Sequence, residues 1–110
     1  MAIWISSVYI QKNEAVTLIE NYHPVIDDVT WKELNTYAKE LDLDCLKYIY
    51  FAGDCIFNCW QCKEILEKEI PLLRAQNLSV NSIAVVDGLE HAIKDTYSKS
   101  FHAYLLFEGD

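Results

Sequence analysis

Apolar and polar positions recur at changing periods along this chain, and each change of period marks an element. Ile3 to Ile10 is rich in β-branched and aromatic residues (Ile3, Trp4, Ile5, Val8, Tyr9, Ile10), which predicts a strand. Gln11-Lys12-Asn13-Glu14 is a polar break of hairpin length. Ala15 to Tyr22 offers a second strand, with Val16 and Leu18 on one face and Thr17 and Ile19 on the other. Asn21 to Asp28, which contains Pro24, reads as a connection. Thr30-Trp31-Lys32-Glu33 has the capping-box pattern, a hydroxyl at the N-cap and a Glu three residues on. Trp31, Leu34, Tyr37, Ala38 and Leu41 then form one stripe at helical spacing. Acids oppose the macrodipole at a helix C-terminus, so Asp42-Leu43-Asp44 predicts a stop near Leu41.

Leu46 to Phe51 fits a strand or a buried loop, broken by Gly53-Asp54. A second helix is predicted from about Asn58 to Gln76. Cys59, Cys62, Leu66, Ile70 and Leu73 share its apolar face, opposite Gln61, Glu64, Glu67 and Lys68. Pro71 lacks an N–H and clashes with the Glu67 carbonyl, so a kink or a break into two shorter helices is expected. Ile83, Val86, Leu89, Ile93 and Tyr97 fit one helical face, yet Ile83 to Val86 also reads as a strand closed by Asp87-Gly88. Helix is favoured over at least Leu89 to Tyr97. Phe101 to Phe107 closes the chain as a strand, Phe101, Ala103, Leu105 and Phe107 on one face. The elements sum to a mostly helical α+β fold: an N-terminal β-hairpin or strands, about three helices and a closing C-terminal strand. A single globular domain over residues 1–110 follows from the length.

Charge changes the picture of partners. The chain carries 17 acids against 9 bases, a formal net charge of −8. With 52% hydrophobic residues it is no disordered acidic tail, so the charge sits on a folded surface. Nucleic acid is excluded as a partner, because it needs clustered Lys and Arg. No apolar run approaches the roughly 18 residues of a membrane span, and Met1-Ala2-Ile3-Trp4 lacks the basic start of a secretory signal. A basic protein partner in the cytoplasm is the expectation. The strand at Ile3 to Ile10, left with an exposed edge, is also able to pair two chains into a homodimer.

Candidate chemistry is sparse. Reduced thiols are expected of Cys45, Cys55, Cys59 and Cys62, given a sufficient core and no signal. Cys59-Trp60-Gln61-Cys62 is a C-x-x-C at a helix start, a spacing that can lower a thiol pKa. With the strand-like run before it and Tyr104-Leu105-Leu106-Phe107 after it, the motif resembles thioredoxin-like proteins, without the proline that family places before its late strand. That resemblance implies a thiol–disulfide oxidoreductase using Cys59 and Cys62. The competing reading makes both cysteines small apolar residues of a packing face. C-x₃-C-x₂-C lacks a second close pair, so no metal or other cofactor is expected. No nucleophile elbow, P-loop or dinucleotide fingerprint occurs, and no catalytic residue is assigned. Trp31 is expected in the core, and Trp60 one residue off the apolar stripe.

At chain level, Val29-Thr30-Trp31-Lys32-Glu33-Leu34, Phe51-Ala52-Gly53-Asp54, Cys62-Lys63-Glu64-Ile65-Leu66 and the closing Phe101 to Phe107 follow one another in an order that resembles small bacterial immunity proteins of contact-dependent and polymorphic toxin systems. The resemblance implies a protein that binds and neutralises a cognate toxin domain. A nuclease is the expected target, because its basic cleft would steer an acidic inhibitor. Asp42, Asp44, Asp54, Glu64 and Glu67 are the candidate partner-binding surface, each weighed against plain solvation. An interaction module with no toxin partner is the remaining alternative.

Overall fold

The computed structural model describes residues 2–13, 15–49, 53–100 and 102–109, without the side chains of residues 23 and 24. The apolar composition at the N-terminus produces two long strands, β1 (Ala2–Ile10) and β2 (Val16–Asp27), which pair antiparallel. The second strand runs further than expected. The segment read as a connection, Asn21 to Asp28, belongs to β2 through Asp27, and Pro24 falls where the register shifts between the pairs Ile5–Tyr22 and Ile3–Ile26. Proline is tolerated there because β2 is an edge strand and the shift leaves the ladder interrupted.

Two short segments complete the sheet, β3 (Asp54–Phe57) and β4 (Ala103–Gly109), in the order β2-β1-β4-β3, antiparallel throughout. β1 is therefore interior, hydrogen-bonded on both sides. The exposed edge at Ile3 to Ile10, the expected route to a homodimer, does not exist; among the described residues β2 and β3 are the edges. Gly53-Asp54, read as a break, leads directly into β3. Leu46 to Phe51 is not a strand over its described part: Leu46–Tyr48 is one 3-10 turn with Leu46 and Ile49 buried, and residues 50–52 lie outside the described set.

The helices pack on one face of the sheet. Helix α1 (Asp28–Glu40) starts earlier than the capping-box reading placed it. Asp27, not Thr30, is the N-cap, and its Oδ1 accepts the Thr30 N–H at 2.8 Å. Glu33 instead accepts the N–H of Ser79, the N-cap of the last helix, at 2.9 Å. The C-terminus stops at Leu41 as expected, in a Schellman arrangement: Leu43 N–H reaches Ala38 O and Asp42 N–H reaches Lys39 O. Asp42 takes the left-handed position there, with φ 53°, that glycine would fill without strain.

The second helical segment begins at the N-cap Asn58 with a full capping box to Gln61. It runs as α2 (Cys59–Glu64), a π turn (Ile65–Glu69) and α3 (Ile70–Arg74), with helical backbone angles at every junction. The expected break into two shorter α-helices is present, but it falls ahead of Pro71, at the π turn Ile65–Glu69 that joins them. The Ile70 N–H bonds to Ile65 O, five residues back, and this wider turn accommodates the donor that proline lacks. The π turn also brings Glu69 inside, where both carboxyl oxygens accept the Cys45 N–H at 3.2 Å and Oε1 accepts the Leu46 N–H at 2.9 Å. The following segment is one continuous helix, α4 (Val80–Lys99), which absorbs Ile83 to Val86. Trp31, Leu34, Ile65, Leu73, Leu89 and Ile93 meet Ile3, Ile5, Leu105 and Phe107 in a single core.

Candidate interaction surface

The five acids of the expected binding surface do not share one face. Asp42 and Asp44 follow α1, Asp42 paired with Lys47 at 2.6 Å. Glu64 pairs with Lys68 at 3.3 Å on the second helical segment, and Glu67 projects from its π turn, exposed. Asp44 and Glu64 both lie within electrostatic range of the buried Cys45 thiol. Asp54 stands apart on the sheet, opposite Glu108 in the β3–β4 register.

The cysteines are core residues. All four are free thiols; Cys45, Cys59 and Cys62 are buried, with Cys55 half-buried. Burial, with Cys59 beside it, pushes the Cys62 thiol up to about 12, the opposite of the depression that activates a C-x-x-C. Burial and the neighbouring Glu69 raise Cys45 to about 12 as well. Among the described residues no group of His, Cys, Asp and Glu is arranged to hold a metal ion.

One polar cluster lies between β1, β2 and α4. The Tyr22 hydroxyl donates to Asp95 Oδ2 at 2.6 Å and sits 3.1 Å from Ser7 Oγ and 3.3 Å from Thr96 Oγ1. His91 contacts the Tyr22 ring edge-on, with centroids 6.1 Å apart. Burial first and Asp95 second hold the Tyr22 pKa above its usual value, so no phenolate forms near neutrality. Satisfying Ser7 and Thr96 inside the helix–sheet seam is what this cluster does.

The larger feature is the face of the sheet that the helices leave open. Strand alternation sends Ile3, Ile5, Ser7, Tyr22, Leu105 and Phe107 toward the helices. It sends Trp4, Val8, Val16, Leu18, Ile56 and Leu106 the other way. Antiparallel sheets with one solvated face normally show polar residues there. Here Trp4 is 54% exposed, Val16 57%, Leu18 56% and Ile56 39%. Together with Ser6, Val8, Asn21 and Leu106 the last three line a groove of about 480 Å³ that ends at Asp54 and Glu108. A smaller recess of about 170 Å³ joins Trp4, Ser6, Asn21 and Glu108. Exposed apolar side chains thus gather on the face that the helices leave open, around the buried Val8.

Of the predicted acids only Asp54 belongs to this face. Trp60, two-thirds exposed, lies elsewhere on α2. Val16 and Leu18 sharing one strand face was legible in the sequence; that Ile56, Leu106 and Trp4 join them depended on the strand order. No protein-family model, curated protein or solved structure matches the chain. No described helix is long and apolar enough to cross a membrane.

Proposed function

We propose that this chain is a cytoplasmic immunity protein that binds and neutralises a cognate toxin domain, a nuclease by its charge requirement. The observation that carries the reading is how the few bases are spent. Lys47, Lys68, Arg74, Lys94 and Lys99 are engaged in ion pairs with Asp42, Glu64, Asp87, Glu90 and Asp95. Asp44, Asp54, Glu67 and Glu108 face solvent, in ion pairs with no base among the described residues. A chain of net charge −8 in which five of the nine bases are already paired with its own acids projects a negative field. Such a field speeds encounter with a basic cleft and disfavours acidic partners. An open apolar face supplies the short-range contact that charge alone lacks.

The test is co-expression. A toxin-like C-terminal domain encoded beside this gene should be lethal alone and tolerated when this chain is present. The purified pair should bind with an association rate that falls as salt rises from 50 to 500 mM, the mark of electrostatic steering. Loss of viability despite soluble co-expression would sink the proposal.

A further inference from the structure

We infer that the open sheet face seats a segment of a protein partner in which an arginine or lysine is flanked by apolar side chains. Its cation enters the row Trp4–Glu108–Asp54 and its apolar neighbours lie along Leu106, Ile56, Val8, Leu18 and Val16. This deepens the binding-protein reading above and rests on it for the existence of a basic partner.

The row is the decisive feature. Trp4 pairs with Glu108 across β1–β4, and Glu108 pairs with Asp54 across β4–β3, all three on the open face. Two carboxylates directly opposite each other on neighbouring strands repel, and natural pairs there are normally of opposite charge. Among the described residues neither carboxylate is in an ion pair. Nor does any base line the groove that both acids end. The chain thus sets two like charges at one cross-strand position with no base of its own beside them, a position that an incoming cation would complement. An exposed indole beside the pair completes the recognition, because a guanidinium or ammonium group over its face gains a cation–π contact.

Apolar positions continue from the row on either side of the polar pair Ser6–Asn21. Leu106 stands opposite Ser6 and Ile56, and Val8 opposite Leu18. Charge sits only at one end of this groove, so the face has a polarity. A second copy of this chain is a poorer occupant on this evidence: a face lined by acids and apolar groups presents its twin with the same acids.

The probe is a pair of synthetic peptides, one with arginine between valines and one in which those valines are serine, added to ¹⁵N-labelled full chain. The Val-Arg-Val peptide is expected to shift the amides of Trp4, Ser6, Val8, Leu18, Leu106 and Glu108, and the serine peptide to bind at least tenfold more weakly. Glu108→Lys and Leu18→Asp should each weaken the valine peptide at least tenfold. Both positions are exposed, and Leu18→Thr serves as the milder variant if Leu18→Asp alters the circular dichroism. Shifts confined to Asp42, Asp44, Glu64 and Glu67, or equal binding of both peptides, would overturn the proposal. So would an absence of shifts, or sheet-face shifts that depend on protein concentration alone, which would reveal self-association. A toxin domain neutralised as well by Leu18→Asp as by the native chain leaves the immunity function standing and removes this surface. Peptide binding at the face without any neutralised toxin does the reverse.

Discussion

Glu69→Ala measures what a buried carboxyl group contributes to the connection between α1 and β3. Glu69 is 2% exposed and is in an ion pair with no base among the described residues. Its compensation for burial is the backbone: the Leu46 N–H at 2.9 Å and the Cys45 N–H at 3.2 Å to both oxygens. Alanine leaves those two N–H groups buried without that acceptor, at about 1–3 kcal/mol each. Relief of the buried carboxyl returns part of the loss, so a net cost of about 3 kcal/mol is expected. Glutamine keeps an acceptor for Leu46 but adds two donors to a site already made of donors, so it should recover less than half. Trp31 is the natural reporter, fully buried and donating from Nε1 to Ile49 O within the same connection. With a urea m-value of about 1–3 kcal/mol/M, the midpoint should fall by about 1–3 M at unchanged slope. The Cys45 and Leu46 amides should lose exchange protection first. A Glu69→Ala protein that loses under about 1 kcal/mol and keeps both amides protected would refute the assignment.

Three further outcomes follow from the same geometry. Asp42→Gly should stabilise the chain by up to about 1 kcal/mol by removing left-handed strain at φ 53°, while Asp42→Ala should destabilise it, read as opposite shifts in thermal midpoint. Asp27, Glu33, Glu90 and Asp95 are held below their usual carboxyl range by hydrogen bonds from Thr30, Ser79, Arg74 and Tyr22. Depressed carboxyl groups stabilise the fold above their unfolded pKa values near 3.8 and 4.5, and the gain is lost as pH falls through the folded values. Urea midpoints should therefore hold from pH 7 to about pH 5 and decline below it. Cys45 and Cys62, both raised to about 12, should resist Ellman's reagent at pH 8 until the chain unfolds; rapid native labelling of Cys62 would revive the oxidoreductase alternative.

The legible parts of the fold are those where local chemistry and tertiary packing agree. The Trp31–Leu41 stripe, the stop at Leu41 and the closing strand through Leu105 and Phe107 are all of this kind. The misses share a different cause. Glu69 falls on the apolar stripe, four residues from Ile65 and four from Leu73, and a charged residue there reads as a boundary until its backbone donors are known. Glu33 fits a capping box, but the Ser79 N–H from a distant helix competes for it and wins, leaving Asp27 to cap its own helix. β3 has only four residues, and its pairing to β4 is fixed by tertiary structure rather than composition.

The open face escaped for a more instructive reason. Ile3-Trp4-Ile5 and Tyr104-Leu105-Leu106-Phe107 are apolar on both sides, the pattern of strands buried between two layers. Among the described residues only one helical layer covers the sheet, on the side of Ile5 and Leu105. A two-sided apolar strand in a one-sided sheet is a mismatch between pattern and architecture. Val8 is 2% exposed on this face with Leu18 opposite it, yet Val16, Leu18 and Ile56 themselves stay open to solvent, an exposure that the packing of Val8 does not require of apolar side chains. On the docking proposal above, another molecule supplies the second layer that this pattern implies. On the same proposal, Asp54 and Glu108, opposite each other at the end of that face, favour a partner that brings a cation.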